Sequence, residues 1–133
     1  MSHGEVQIDD AVVVINIHQQ FPFAQNAEDL KECTRGLWRL DTKRGERAKY
    51  LFGVYKGEIK EVYEIRQCVP ARKETKDYWR KRLLSQGKDL SPSINDDRSE
   101  FDVRTAPEDI RKKYVGKRMP VRLTQNPVRY FNC

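Results

Sequence analysis

Apolar residues fall along this chain in short clusters separated by charged stretches, and the clusters have two different periods. Ala11 to Ile17 reads Ala-Val-Val-Val-Ile-Asn-Ile, a β-branched run nearly continuous in apolar character, which predicts a strand buried on both faces. Tyr50, Phe52 and Val54 alternate with period two, so Tyr50 to Val54 is expected as an amphipathic strand. Lys56-Gly57 supplies a turn into a second strand from Glu58 to Cys68, whose alternation fails around Glu61 to Tyr63 and so predicts a bulge or a bend there. Glu100 to Arg104, Val121 to Leu123 and Val128 to Phe131 are further short extended pieces. Three helices are expected between them. Asn26 can cap Ala27 to Cys33, with Glu28 and Asp29 in the first turn; Thr75 can cap Lys76 to Gln86, which Gly87 ends. Thr105-Ala-Pro-Glu108 has the form of a capping box opening a helix to Tyr114, with Gly116 after it. His18 to Gln25 and Lys88 to Arg98 read as loops, and Asp41 to Lys49 as a charged stretch holding at most one helical turn. With no βαβ repeat visible, the pattern implies an α+β fold: a small bent, mainly antiparallel sheet or open β-barrel with three short helices.

Length and composition narrow the class. The 133 residues suit one domain spanning 1–133, large enough to form a core without metals or disulfides. Charged residues make up 35% and the mean hydropathy is −0.85, and the longest apolar run, Ala11 to Ile15, is far short of the roughly 20 residues that span a bilayer. The acidic first ten residues do not resemble a secretory leader. Cys33, Cys68 and Cys133 are odd in number and widely spaced, which argues against a disulfide framework or a zinc knuckle and for reduced thiols in the cytoplasm. With His3 and His18 the only histidines, no metal site and no cofactor are expected.

The net charge of +6 is unevenly spread. Residues 1–30 carry five acids and no Lys or Arg, whereas residues 31–49, 66–89 and 104–129 together hold 23 of the 26 bases. If folding brings two such blocks to one face, the field there attracts a phosphate backbone; the alternative partner is an acidic protein surface docked by the same bases. Oligomeric state is not legible.

Catalytic patterns are sparse. There is no glycine-rich phosphate loop and no Ser-His or Cys-His pairing. Glu58-Ile-Lys60 has the Glu-x-Lys spacing of restriction-type nuclease cores, for which Asp41 could supply the upstream acid, but such tripeptides are common on charged strands and a solvated face is the simpler reading. More content lies in Thr34-Arg35-Gly36-Leu37-Trp38-Arg39, followed by Arg44, Arg47 and Lys49. A Trp between two arginines fits a base-stacking platform with guanidinium forks for phosphate, and it fits equally a core Trp flanked by surface arginines. Arg35, Trp38, Arg39, Arg44, Arg47 and Lys49 are the candidate nucleic-acid-binding residues. A second cluster, Tyr78 and Trp79 among Lys73, Lys76, Arg80, Lys81 and Arg82, has the spacing of core aromatics with bases on the outer face.

The motifs Glu32-Cys-Thr-Arg-Gly-Leu-Trp-Arg-Leu40, Arg47-Ala-Lys-Tyr50, Val54-Tyr-Lys-Gly57, Val62-Tyr-Glu-Ile65, Ile110-Arg-Lys-Lys-Tyr-Val-Gly-Lys117 and Gln125-Asn-Pro-Val-Arg-Tyr-Phe-Asn-Cys133 resemble an uncharacterised bacterial domain found alone or behind GIY-YIG-type nuclease modules. The resemblance runs from about Val12 to the last residue. At fold level the Gly-x-Trp segment after the first helix is similar to the EVE and ASCH branch of PUA-like domains. That similarity implies a non-catalytic module reading an unpaired or modified base. The chain departs from the pattern at Arg66-Gln-Cys-Val-Pro70, where an aromatic precedes the Pro, and at Glu100-Phe-Asp-Val103, where a Trp stands; both departures imply an altered base pocket.

Overall fold

The computed structural model describes residues 6–18, 20–87, 98–123 and 127–133. Within them the chain forms β1 (Val12–Asn16), a 3-10 turn (Phe21–Phe23), α1 (Ala27–Arg35), α2 (Thr42–Arg47), β2 (Tyr50–Tyr55), β3 (Glu58–Pro70), α3 (Lys73–Ser85), β4 (Ser99–Thr105), α4 (Glu108–Tyr114) and β5 (Val128–Phe131). The strands make one sheet in the order β4-β3-β2-β1-β5. Its outer strands, β4 and β5, do not pair with each other, so the fold is α+β with an open sheet; among the described residues the barrel alternative does not arise. Three neighbouring pairs are antiparallel and β1 lies parallel to β2. A parallel pair needs a crossover, and α1 with α2 provides it, so the chain holds a β-α-α-β unit that its sequence pattern hid. The charged stretch with its expected single turn around Ala48 forms α2, one helix more than the three expected, and Ala48 follows it as the C-cap residue.

Local chemistry explains most element boundaries. Asn26 Oδ1 accepts the Asp29 N–H at 2.9 Å and starts α1. Asp41 does the same for α2, accepting from the amides of Lys43 at 3.0 Å and Arg44 at 3.3 Å. At the β2–β3 turn Lys56 and Gly57 have φ of 51° and 78°, the paired positive values of a tight primed hairpin turn. Opposite Gly53 and Val54 the register skips Lys60, and it skips Arg66 between Ile65 and Gln67, so β3 is bulged twice. Two expected caps are not used. Thr75 is buried inside α3 rather than at its start, and the carboxylate of Glu100 instead accepts the Arg72 N–H at 2.9 Å. Thr105 remains in β4, and Pro107 precedes α4 without a side-chain cap. Val121 to Leu123 is not a strand, and residues 88–97 of the expected Lys88 to Arg98 loop lie outside the described residues.

The sheet is covered on both sides. Val13, Ile15, Leu51, Tyr63 and Phe101 face α1, α2 and α3 through Cys33, Ala48 and Trp79, while Val12, Val14, Phe52, Val54 and Val62 pack beneath α4 through Tyr114. Strand β2 is therefore buried on both faces and not amphipathic: Leu51 is as covered as Phe52. Helix α1 lies so close to β2 that a Cβ at Gly53 would come within 2.8 Å of Thr34 Oγ1, which is why glycine stands there. No helix among the described residues is long and apolar enough to cross a membrane.

Candidate nucleic-acid interface

The Thr34 to Arg39 motif divides at its side chains into an inward set and an outward one. Thr34 is buried, its hydroxyl bonded to the Leu30 carbonyl at 2.7 Å. Arg35 ends α1 and turns into the protein: Nε meets Glu32 at 3.1 Å, and Nη1 meets Glu100 Oε1 at 3.0 Å and the Phe101 carbonyl at 3.2 Å. Gly36 allows this approach, since a Cβ there would lie 3.2 Å from Glu100 Cβ. Trp38 is half-buried against the core on the α1 side, donates Nε1–H to the Thr34 carbonyl at 2.8 Å and bridges Ser99 through its backbone. These four residues clamp α1 to β4. Neither Arg35 nor Trp38 stands out from the surface as a phosphate fork or a free stacking face.

Glu100 is the centre of that clamp. Its side chain is 0% exposed, and its carboxylate also takes Arg72 Nη1 at 2.9 Å. Burial alone would raise the Glu100 pKa, but the Arg72 amide, Arg35 and Thr75 outweigh it and hold the carboxyl below its ordinary value. Arg72 reaches on to Asp102 at 2.7 Å, and Gln67 bonds the same carboxylate; with these partners Asp102 is lowered to about 2. A buried carboxylate with two guanidiniums needs both, because removing either leaves charge in a poorly solvated place.

The remaining candidates face outward at one end of the sheet. Arg39 is exposed on the segment entering α2. Helix α2 carries Lys43, Arg44 and Arg47, and Lys49 follows at the start of β2; Lys43, Arg47 and Lys49 are exposed. Lys43 and Arg47 are four residues apart and share a side of the helix. Arg44 is held flat over the Tyr130 ring, 4.1 Å from its centroid, with Nε donating to the Cys133 carbonyl at 2.9 Å. Tyr130 in turn receives the Asp41 N–H on its hydroxyl at 2.7 Å, fixing α2 against β5. Asp41 and Glu46 are the acids on this stretch, and Asp41 is engaged at the helix start. Among the described residues none of Lys43, Arg44, Arg47 and Lys49 forms an ion pair. Lys43 was not among the sequence candidates, although its spacing from Arg47 was a usable signal. The anchoring by Tyr130 was not legible, since it joins residues 89 apart.

The other candidate chemistries separate. Asp41 sits at the β5 side of α2, whereas Glu58 opens β3 opposite Tyr55, so the length of β2 lies between them. Glu58 is paired with Lys60 at 3.1 Å. No group of three or more metal-ligating side chains occurs among the described residues. On α3, Trp79 is core and Arg82 is drawn inward to Tyr78 Oη at 3.0 Å and Asp29 at 3.6 Å, leaving Lys73, Arg80 and Lys81 exposed. No protein family, curated protein or solved structure matches the chain.

Proposed function

We propose that this chain is a non-catalytic nucleic-acid-binding module that holds phosphate through Lys43, Arg44, Arg47 and Lys49, with Arg39 beside them. The observation that carries the reading is that four cations without a carboxylate partner among the described residues fall within seven positions, on α2 and the residue that leads into β2. Arg35, Arg72, Arg80, Arg104 and Arg111 are each paired with a carboxylate within 3.3 Å, while the four cations between Lys43 and Lys49 have no such partner among the described residues. A cation already in an ion pair must break it to take a phosphate; an unpaired one releases only counterions from the nucleic acid. Fixing of α2 by Asp41 and Tyr130 keeps the cations at a constant spacing before any ligand arrives.

The test is a fluorescence titration of labelled oligonucleotides with the protein and with an Arg47→Ala/Lys49→Ala variant. The variant is expected to lose affinity and to lower the salt slope by about one for each contact removed. An Arg80→Ala/Lys81→Ala variant on α3 is the control and should bind as the parent does. Equal binding by parent and Arg47→Ala/Lys49→Ala variant overturns the assignment of these residues, and absence of binding at low salt moves the reading to an acidic protein surface as partner.

A further inference from the structure

We infer that the ligand of this interface is the phosphate backbone of a duplex, held without regard to sequence, and not an unpaired base; the inference rests on the reading just given. Every Phe, Tyr and Trp of the chain lies among the described residues. Tyr50, Phe52, Tyr63, Trp79, Phe101 and Tyr114 are buried. The half-buried rings are already covered. Phe21 and Tyr55 stack on each other at 4.5 Å, Arg44 lies over Tyr130, and Arg129 lies over Phe131 at 5.8 Å. Tyr78 meets Trp79 edge-on at 5.8 Å, and Trp38 packs against the core.

The most exposed ring is Phe23, 45% exposed on the 3-10 turn. That turn follows the end of β1, where the Ile17 N–H bonds the Val54 carbonyl at 2.9 Å, while α2 and Lys49 precede the start of β2. A strand of that length spans about 20 Å, so Phe23 and the cations of α2 and Lys49 stand at opposite ends of the sheet. Lys60, whose ammonium lies over the neighbouring Phe21 ring, is already paired with Glu58. The interface therefore offers charge and hydrogen-bond donors with no exposed ring beside them to receive a base. Proteins that prefer single strands combine a basic groove with stacked aromatics, and without the second component the higher charge density of a duplex decides the preference.

The experiment is fluorescence anisotropy with a DNA duplex of about 20 base pairs, an RNA duplex of the same sequence, the separate strands, and a DNA duplex of scrambled sequence, at about 50 and 200 mM salt. Four phosphate contacts give a slope of about −3.6 on a duplex and about −2.8 on a single strand, so duplex affinity should fall about 150-fold between the two salts. The scrambled duplex should bind equally, at least one duplex type should bind more tightly than its strands, and Phe23→Ala should bind as the parent does. Tighter binding of a single strand, a dependence on sequence, or a loss of affinity in Phe23→Ala overturns this inference while leaving the phosphate interface in place. Failure of every oligonucleotide to bind at the lower salt overturns the proposed function and this inference together.

Discussion

Replacing Arg35 by alanine separates a structural clamp from a phosphate fork in one variant. The change removes the Nη1 bonds to Glu100 at 3.0 Å and to the Phe101 carbonyl at 3.2 Å, and the Nε contact to Glu32. Glu100 is fully buried and keeps only Arg72 as a counterion, with the Arg72 amide bonded to it as well. Breaking a buried ion pair from one side costs about 3–5 kcal/mol, and the surviving Arg72 contacts place this case at the lower end, about 3 kcal/mol. With a urea m-value of about 2 kcal/mol/M that moves the midpoint down by about 1.5 M. At roughly 3–5 °C per kcal/mol for a chain of this size, the same loss lowers Tm by about 10–15 °C. Urea and thermal melts followed by circular dichroism read both numbers. Arg35→Lys restores the charge without the fork and should recover part of the loss. Arg39→Ala, on the exposed side of the same motif, should stay within about 0.5 kcal/mol of the parent. The reasoning is refuted if Arg35→Ala melts as the parent does and binds oligonucleotides more weakly.

Trp38→Ala should cost about 2–3 kcal/mol, less than a fully buried Trp, through lost packing and the lost Nε1 bond to Thr34; once folded, it should bind a duplex normally, as titration at a temperature below its melt would record. Burial pushes the thiols of Cys33 and Cys68 up to about 11, so at pH 8 neither should react with a disulfide reagent until the protein unfolds; rapid labelling of either in the native state would contradict the packing described.

What could be read from the sequence was what neighbouring residues decide. The buried run of β1, the Asn26 cap and the Lys56-Gly57 turn each depend on a few adjacent positions, and each is found where expected. The parallel pairing of β1 with β2 is different in kind. It needs the crossover through α1 and α2, and α2 is a six-residue helix too polar to show an apolar stripe. The caps of α3 and α4 were misplaced because distant groups compete with local ones: Glu100 bonds the Arg72 amide from 28 residues away, and pairing with Tyr63 keeps Thr105 in the strand. The same limit applied to the candidate site. Arg35 and Arg39 look equivalent on either side of Trp38, and only the position of Glu100, 65 residues from Arg35, makes one internal and leaves the other at the surface.

The junction between β3 and β4 bears on how this chain tolerates change in length. The Ala71 amide bonds the Arg98 carbonyl at 2.9 Å, Pro70 pairs with Ser99, and Arg72 reaches Glu100, so the path that leaves the sheet at Pro70 returns to it at the same point. Everything from Arg72 to Arg98 hangs from a closed neck. Helix α3 is seated on the core by Trp79, and the neck holds β3 and β4 together independently of it. Doubling the number of residues that such a neck closes off costs only about 0.6 kcal/mol in closure entropy. The neck thus lets the chain change length between α3 and β4 while the register of the two strands it joins stays fixed.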